Sequence, residues 1–233
     1  MEGLMTVAVT THVTVHLARF DKPVTLDPID TGPAIGDPLA WMVGADNIAA
    51  RTPLGSSAAT VRVALGHHAD EHSARTVFEA GADSVPYLAA AGETWAALLE
   101  PIGHRGEVNW LDAVQPGRAW PGLAFAPVVR RPEGPCMVTT SVGWTFDERF
   151  DATKATDFAS GVERVRAAMD GVDGLHSQQS FCIPASLADP ITITFWHDDA
   201  VMRAFAYRPG EHKFQLDRFR QREAADRSSF TRL

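Results

Sequence analysis

Ile191-Thr192-Ile193-Thr194-Phe195-Trp196, His197-Asp198-Asp199-Ala200-Val201-Met202-Arg203-Ala204-Phe205-Ala206-Tyr207 and Arg208-Pro209-Gly210-Glu211-His212 form one continuous run. Its β-branched and aromatic alternation predicts a strand over 191–196, with Ile191, Ile193 and Phe195 on one face and Thr192, Thr194 and Trp196 on the other. Asp198 or Asp199 is a good helix N-cap, so a helix follows and reaches Tyr207. Pro209 has no N–H and disfavours helical geometry in the residue before it, so the chain must break there. A second helix then opens, with His212, Leu216 and Phe219 on one face.

Working outward, Leu175–Ile183 reads as another strand, with His176, Gln178, Ser180 and Cys182 on one side. Asp151 caps a helix in which Ala155, Phe158, Val162, Val165 and Met169 recur at spacings of three and four, and Gly171 and Gly174 end it. Cys136–Thr145 is a strand. The order β-α-β-β-α is that of a ferredoxin-like unit.

The first half reads as a looser copy. Thr6–Leu17 alternates, with its phase disturbed at Thr10-Thr11, and 21–38 is an extended connection rich in Pro, Gly and Asp. Asp37-Pro38 predicts a short helix from Leu39 to about Ala50. Ala58–Leu65 is a strand, 69–81 carries a helix, and 93–100 could be either. Gly103–Pro135 is the joint. The expected fold class is therefore α+β: two ferredoxin-like halves, 1–120 with an irregular N-terminal extension and 121–233, forming an α+β barrel in one compact domain. Its pocket would lie between sheet and helices or between the sheets.

The 233 residues are 45% apolar, enough for an ordinary core. Against 29 acidic residues stand 21 basic ones, a formal charge of −8 with no basic run, which argues against nucleic acid or an anionic membrane as partner. No apolar run approaches the roughly 18 residues of a membrane span and no signal-peptide pattern opens the chain, so a cytoplasmic protein is expected. Cys136 and Cys182 are read as reduced thiols. No phosphate loop, nucleophile elbow or dinucleotide fingerprint is present.

Several residues could carry chemistry. A neutral imidazole among apolar side chains suits His212 to axial ligation of iron, although a core histidine bonded to a carbonyl has the same spacing. Arg203, Arg208, Arg218 and Arg220 flank it and could pair with carboxylates or form a solvated helix face. His67, His68 and His72 lie in an acidic run read as exposed surface in preference to a zinc site. If Ile191, Ile193, Phe195, Leu175, Phe181 and Ile183 pack under the helices, the opposite polar faces line the barrel interior. There His176 and Gln178 could act as acid, base or orienting group.

Phe195-Trp196, Ala204-Phe205-Ala206-Tyr207-Arg208, His212 and Ser229-Phe230-Thr231-Arg232-Leu233 together resemble the C-terminal signature of spheroidene monooxygenase-like proteins. Glu93-Thr94-Trp95, Leu99-Glu100-Pro101 and Arg105-Gly106 are similar to that family's mid-chain pattern. The resemblance covers roughly residues 58–233. It implies a dimeric α+β barrel fold within one chain and haem-dependent oxidative chemistry, with haem b as cofactor. Aldoxime dehydratases share that architecture, and the resemblance puts their proximal ligand at His212, with Arg203 or Arg208 at a propionate. Implied partners are a small apolar or amphipathic substrate, an electron donor and further copies of the chain. Two other readings stand beside this one: an aldoxime dehydratase-like lyase, and a cofactor-free oxygenase or ligand-binding barrel.

Overall fold

The computed structural model describes residues 8–25, 40–46, 58–106, 123–126, 133–144, 151–183, 186–221, 225 and 227–233. The first half contributes β2 (His12–Thr25), β3 (Ala40–Asp46), β4 (Ala58–His68), α1 (Glu71–Ala80) and β5 (Glu93–Leu99). The second contributes β8 (Cys136–Gly143), α2 (Ala152–Met169), β9 (Leu175–Ile183), β10 (Ser186–Trp196), α3 (Asp199–Tyr207), α4 (Glu211–Arg220) and β11 (Arg227–Arg232). Between them β6 (Gly103–Gly106) adds to β11, while β1 (Ala8–Thr10) pairs in parallel with β7 (Leu123–Phe125) in a separate ribbon.

Within each half the spatial order is fourth, first, third, second strand, with every neighbour antiparallel: β5-β2-β4-β3 and, read from the other edge, β11-β8-β10-β9. That is ferredoxin-like topology twice over. The halves join where Ala45 pairs with Cys182 and Asp46 with Phe181, making one sheet of nine strands. Its end strands, β5 and β6, are consecutive in the chain. The link Glu100-Pro101-Ile102 spans about 10 Å fully extended, so the sheet must curl until its ends approach.

The concave side holds the main core. Val13, Val15, Val63 and Leu65 of the first half pack with Met137, Phe181, Ile191, Ile193 and Leu233 of the second. The helices lie outside. Ala64, Val77 and Val85 seat α1, and Cys136, Val138, Trp196, Met169, Met202, Phe205 and Ala206 seat α2 and α3. Burying each large apolar side chain stabilises the fold by about 1.5–3 kcal/mol, so the two-sided burial of the sheet is the main favourable term.

Local signals place the helices of the second half. Asp151 accepts from the N–H groups of Thr153 and Lys154, and Asp198 from that of Val201, so both expected caps form. Gly171 and Gly174 adopt φ of 74° and 81° after α2, a region that suits glycine.

Three expectations are corrected. The helix expected from Leu39 to about Ala50 is strand β3 over Ala40–Asp46, and its proposed cap Asp37-Pro38 lies outside the described residues. Its backbone is paired by β4 on one side and β9 on the other, and such a two-sided ladder overrides a local start signal. The strand expected over Thr6–Leu17 is broken at Thr11, where β1 leaves for β7 and β2 stays in the main sheet. His67 and His68, expected on an exposed run, end β4 and are buried; only His72 of that trio is exposed. The ambiguous 93–100 segment is strand β5.

Candidate functional site in the helix layer

The polar faces of β9 and β10 turn the opposite way from the expected one. Ile191, Ile193 and Phe181 point into the barrel, while Gln178, Thr194 and Trp196 point toward the helices. The apolar set packs in the interior against Val13, Val15, Val63 and Leu65 of the facing half-sheet. The helix side accepts the polar set because hydrogen bonds await it there. Trp196 Nε1 donates to Thr194 Oγ1 at 2.8 Å, and Gln178 Nε2 donates to the Arg166 carbonyl at 3.3 Å and the Asp170 carboxylate at 3.2 Å. Gln178 Oε1 is buried without a partner among the described residues. His176 is exposed, its ring 6.0 Å from that of His197.

His212 lies on this same side, in the first turn of α4, which packs on α2 and α3. Its Nδ1–H donates to the Ala206 carbonyl at 3.0 Å, near the end of α3, and its ring stands 5.4 Å from that of Phe205. The Pro209-Gly210 break turns α4 back so that this bond can form. Burial pushes the imidazole below its ordinary pKa and outweighs the opposing hydrogen bond, so the ring is neutral at pH 7. With the proton held at Nδ1, Nε2 carries the lone pair and has no hydrogen-bond partner among the described residues.

One turn further along α4, Gln215 is 5% exposed and neither atom of its amide has a partner among the described residues. It faces Gly161 of α2, where an added Cβ would come within 2.5 Å of Gln215 Nε2. Sequence reading missed this pair. The available signal was Gly161 itself, because glycine inside a helix costs about 1 kcal/mol and often marks close approach by another element.

The arginines differ in setting, Arg203 and Arg208 being exposed and Arg218 half-buried. Arg203 is 3.9 Å from Asp199, Arg208 stacks over Phe205 at 4.9 Å, and Arg218 pairs with Asp157 at 2.6 Å. The Arg220 side chain lies outside the described residues. Cys136 is buried with its thiol pushed up to about 12, chiefly by burial, which makes it a poor nucleophile.

The barrel interior holds a different polar set. Ser141 and Ser229 share a 2.5 Å hydroxyl hydrogen bond, and Thr231 donates to His104 Nδ1 at 2.8 Å while His104 Nε2 donates to the Gly106 carbonyl at 2.9 Å. Phe125 stacks on His104 and meets His67 edge-on, so the short β1–β7 ribbon covers this end. A small cavity there is lined by Val13, Leu65 and Ile191 beside Ser141, Ser229 and Thr231.

Fold and site together define a class: α+β barrels built within one chain from two ferredoxin-like halves, here with a half-buried histidine in the helix layer of the second half. Two solved structures represent that class. An aldoxime dehydratase matches with a TM-score of 0.54 and 9% identity, over 96% of this chain and 81% of its own. Another, crystallised with butyraldoxime, matches with a TM-score of 0.53 and 11% identity, over 97% of this chain and 79% of its own. The chain therefore shares the aldoxime dehydratase fold, and at these identities the likeness concerns fold alone. No protein-family model and no curated protein matches the sequence. Among the described residues no helix is long and apolar enough to cross a membrane.

His212 has the chemistry of an axial haem ligand. An axial ligand must be neutral, held in one tautomer and aimed by a second hydrogen bond, and His212 meets each condition.

Proposed function

We propose that the protein is a haem-dependent enzyme of monooxygenase-like or aldoxime dehydratase-like type, acting on a small apolar or amphipathic molecule, with His212 as the axial ligand of haem b. The observation that carries this is the tautomer: Ala206 holds the proton at Nδ1 and leaves Nε2 for a metal.

Bound haem would supply the redox or Lewis-acid chemistry at nitrogen or oxygen that no side chain provides. The chain's own contribution is positional and electrostatic. The Ala206 carbonyl fixes the imidazole and raises its basicity as a ligand. Phe205, which packs with Trp196 and Met202, stands beside the half-buried His212 ring, and this partial burial favours the neutral imidazole. His176, exposed on β9, and Gln178, facing the helices, are the candidate proton-transfer and orienting groups, Gln178 through its Oε1, which has no partner among the described residues. Arg203 and Arg208 are exposed cations at the rim, available to propionates. A monooxygenase would need an external electron donor; a dehydratase would not. That need separates the two activities.

The test is optical. Ligand-free protein titrated with haem should develop a Soret band at one equivalent, and His212→Ala should lose it, with added imidazole restoring a similar band. A titration in which His212→Ala binds haem as wild type does would refute the assignment.

A further inference from the structure

An amide that is buried with neither its donors nor its acceptor satisfied is costly, and a native structure keeps such a group for a reason. Gln215 is one, and two features of its surroundings suggest the reason. It stands three residues after His212, so their Cβ atoms are neighbours on α4, about 5–6 Å apart. It also lies where α2 has given up a side chain, since any Cβ at residue 161 would collide with the amide. The α2–α4 seam is thus shaped around a polar group that no described residue pairs with. Gln178, whose Oε1 is likewise buried without a partner, reaches α2 a turn and a half further on, at Arg166.

We infer that Gln215 is a positioning residue for the group held by His212, and that its amide N–H donors bind a propionate carboxylate of haem b. This rests on His212 ligating haem. The chemistry narrows the match: methyl and vinyl substituents form the rest of the porphyrin edge, and only the propionates are hydrogen-bonding groups. The arginines leave this carboxylate to the amide: Arg203 and Arg208 are exposed at the rim, available to the other propionate, and the arginines nearer the seam have acidic partners. Arg208 lies over Phe205, Arg218 is paired with Asp157, and Arg164 reaches Glu211 at 3.1 Å. A neutral amide in this seam recognises a carboxylate without adding a buried charge to the ligand-free chain.

The experiment compares wild type with Gln215→Leu, which keeps the volume and removes the amide. Each is titrated by Soret absorbance with haem and with iron protoporphyrin dimethyl ester, whose carboxylates are capped, and each is melted without ligand. The expected result is about a tenfold weaker Kd for haem in Gln215→Leu, an unchanged Kd for the dimethyl ester, and a ligand-free Tm at or above that of wild type. Equal weakening for both porphyrins, no weakening for haem, or a lower ligand-free Tm would overturn the role of Gln215 while leaving His212 as ligand. If wild type binds neither porphyrin, the His212 assignment fails and the Gln215 proposal falls with it.

Discussion

Trp95 of β5 and Phe195 of β10 meet edge to face, with ring centroids 4.8 Å apart, although they belong to different halves of the chain. The contact bridges the barrel near its closing end, and Trp95 remains 45% exposed. Aromatic pairs of this geometry contribute about 0.5–1.5 kcal/mol beyond their area. A double-mutant cycle of Trp95→Ala and Phe195→Ala, read by urea denaturation, should give a coupling energy on the order of 1 kcal/mol. Additive effects would mean that the rings do not hold the halves together.

Acid should destabilise the protein before its carboxylates titrate. Burial, aided by His68 and His104, lowers His67 to about 3; burial, with Asp70 opposing and His12 and His16 assisting, leaves His68 at about 4. Both are neutral when folded, whereas unfolded histidines titrate near 6.5. Between about pH 4 and 6.5 the unfolded chain therefore binds more protons, and stability falls as pH falls. The slope is up to ~1.4 kcal/mol per pH unit for each histidine. Urea midpoints from pH 7 to 5 should show it, and His68→Asn should make the slope shallower even if that variant starts less stable.

Gly106 has φ of 84°, and a Cβ there would run into the Ser228 carbonyl across the β6–β11 ladder. Gly134 has a similar φ of 82° with open space around it. Gly106→Ala should therefore cost on the order of 2–3 kcal/mol and Gly134→Ala about 1 kcal/mol, the backbone strain alone. Comparable losses in chemical denaturation would show that the ladder yields to the methyl group.

Asp198→Ala removes the side-chain acceptor that holds the Val201 N–H at 2.7 Å and should lower stability by about 1 kcal/mol. The cap is at the far end of α3 from Ala206, so a porphyrin titration should give the wild-type affinity. A fall in affinity matching that of His212→Ala would place the start of α3 in the site.

The second half was largely legible. Periodicity, two aspartate caps and paired glycines marked α2, α3, β9 and β10 because each element agrees locally with its tertiary role. β3 was not, since Ala40–Asp46 is a strand by virtue of neighbours distant in sequence. The direction of the β9 and β10 faces was equally hidden. Period two separates Gln178 and Thr194 from Phe181 and Ile193, yet only the opposing half-sheet decides which set points inward. Within the site, His212 was visible through the proline break and the resemblance. Gln215 was not, because an unsatisfied amide is a property of its surroundings. His67 and His68 looked exposed through acidic neighbours that belong to the next helix, α1.

The peptide Glu100-Pro101-Ile102 does more than connect two strands. It works as a rivet in a hoop: the ends of the nine-stranded band are tied by main chain, so they cannot part by more than those residues span. A hoop riveted at one point opens at its weakest stave, and among the described residues that is the β3–β9 seam, where Ala45–Cys182 and Asp46–Phe181 are paired. Any breathing that admits a molecule to the barrel interior should begin there, opposite the rivet, while the helix layer that carries His212 rides unbroken on the second half.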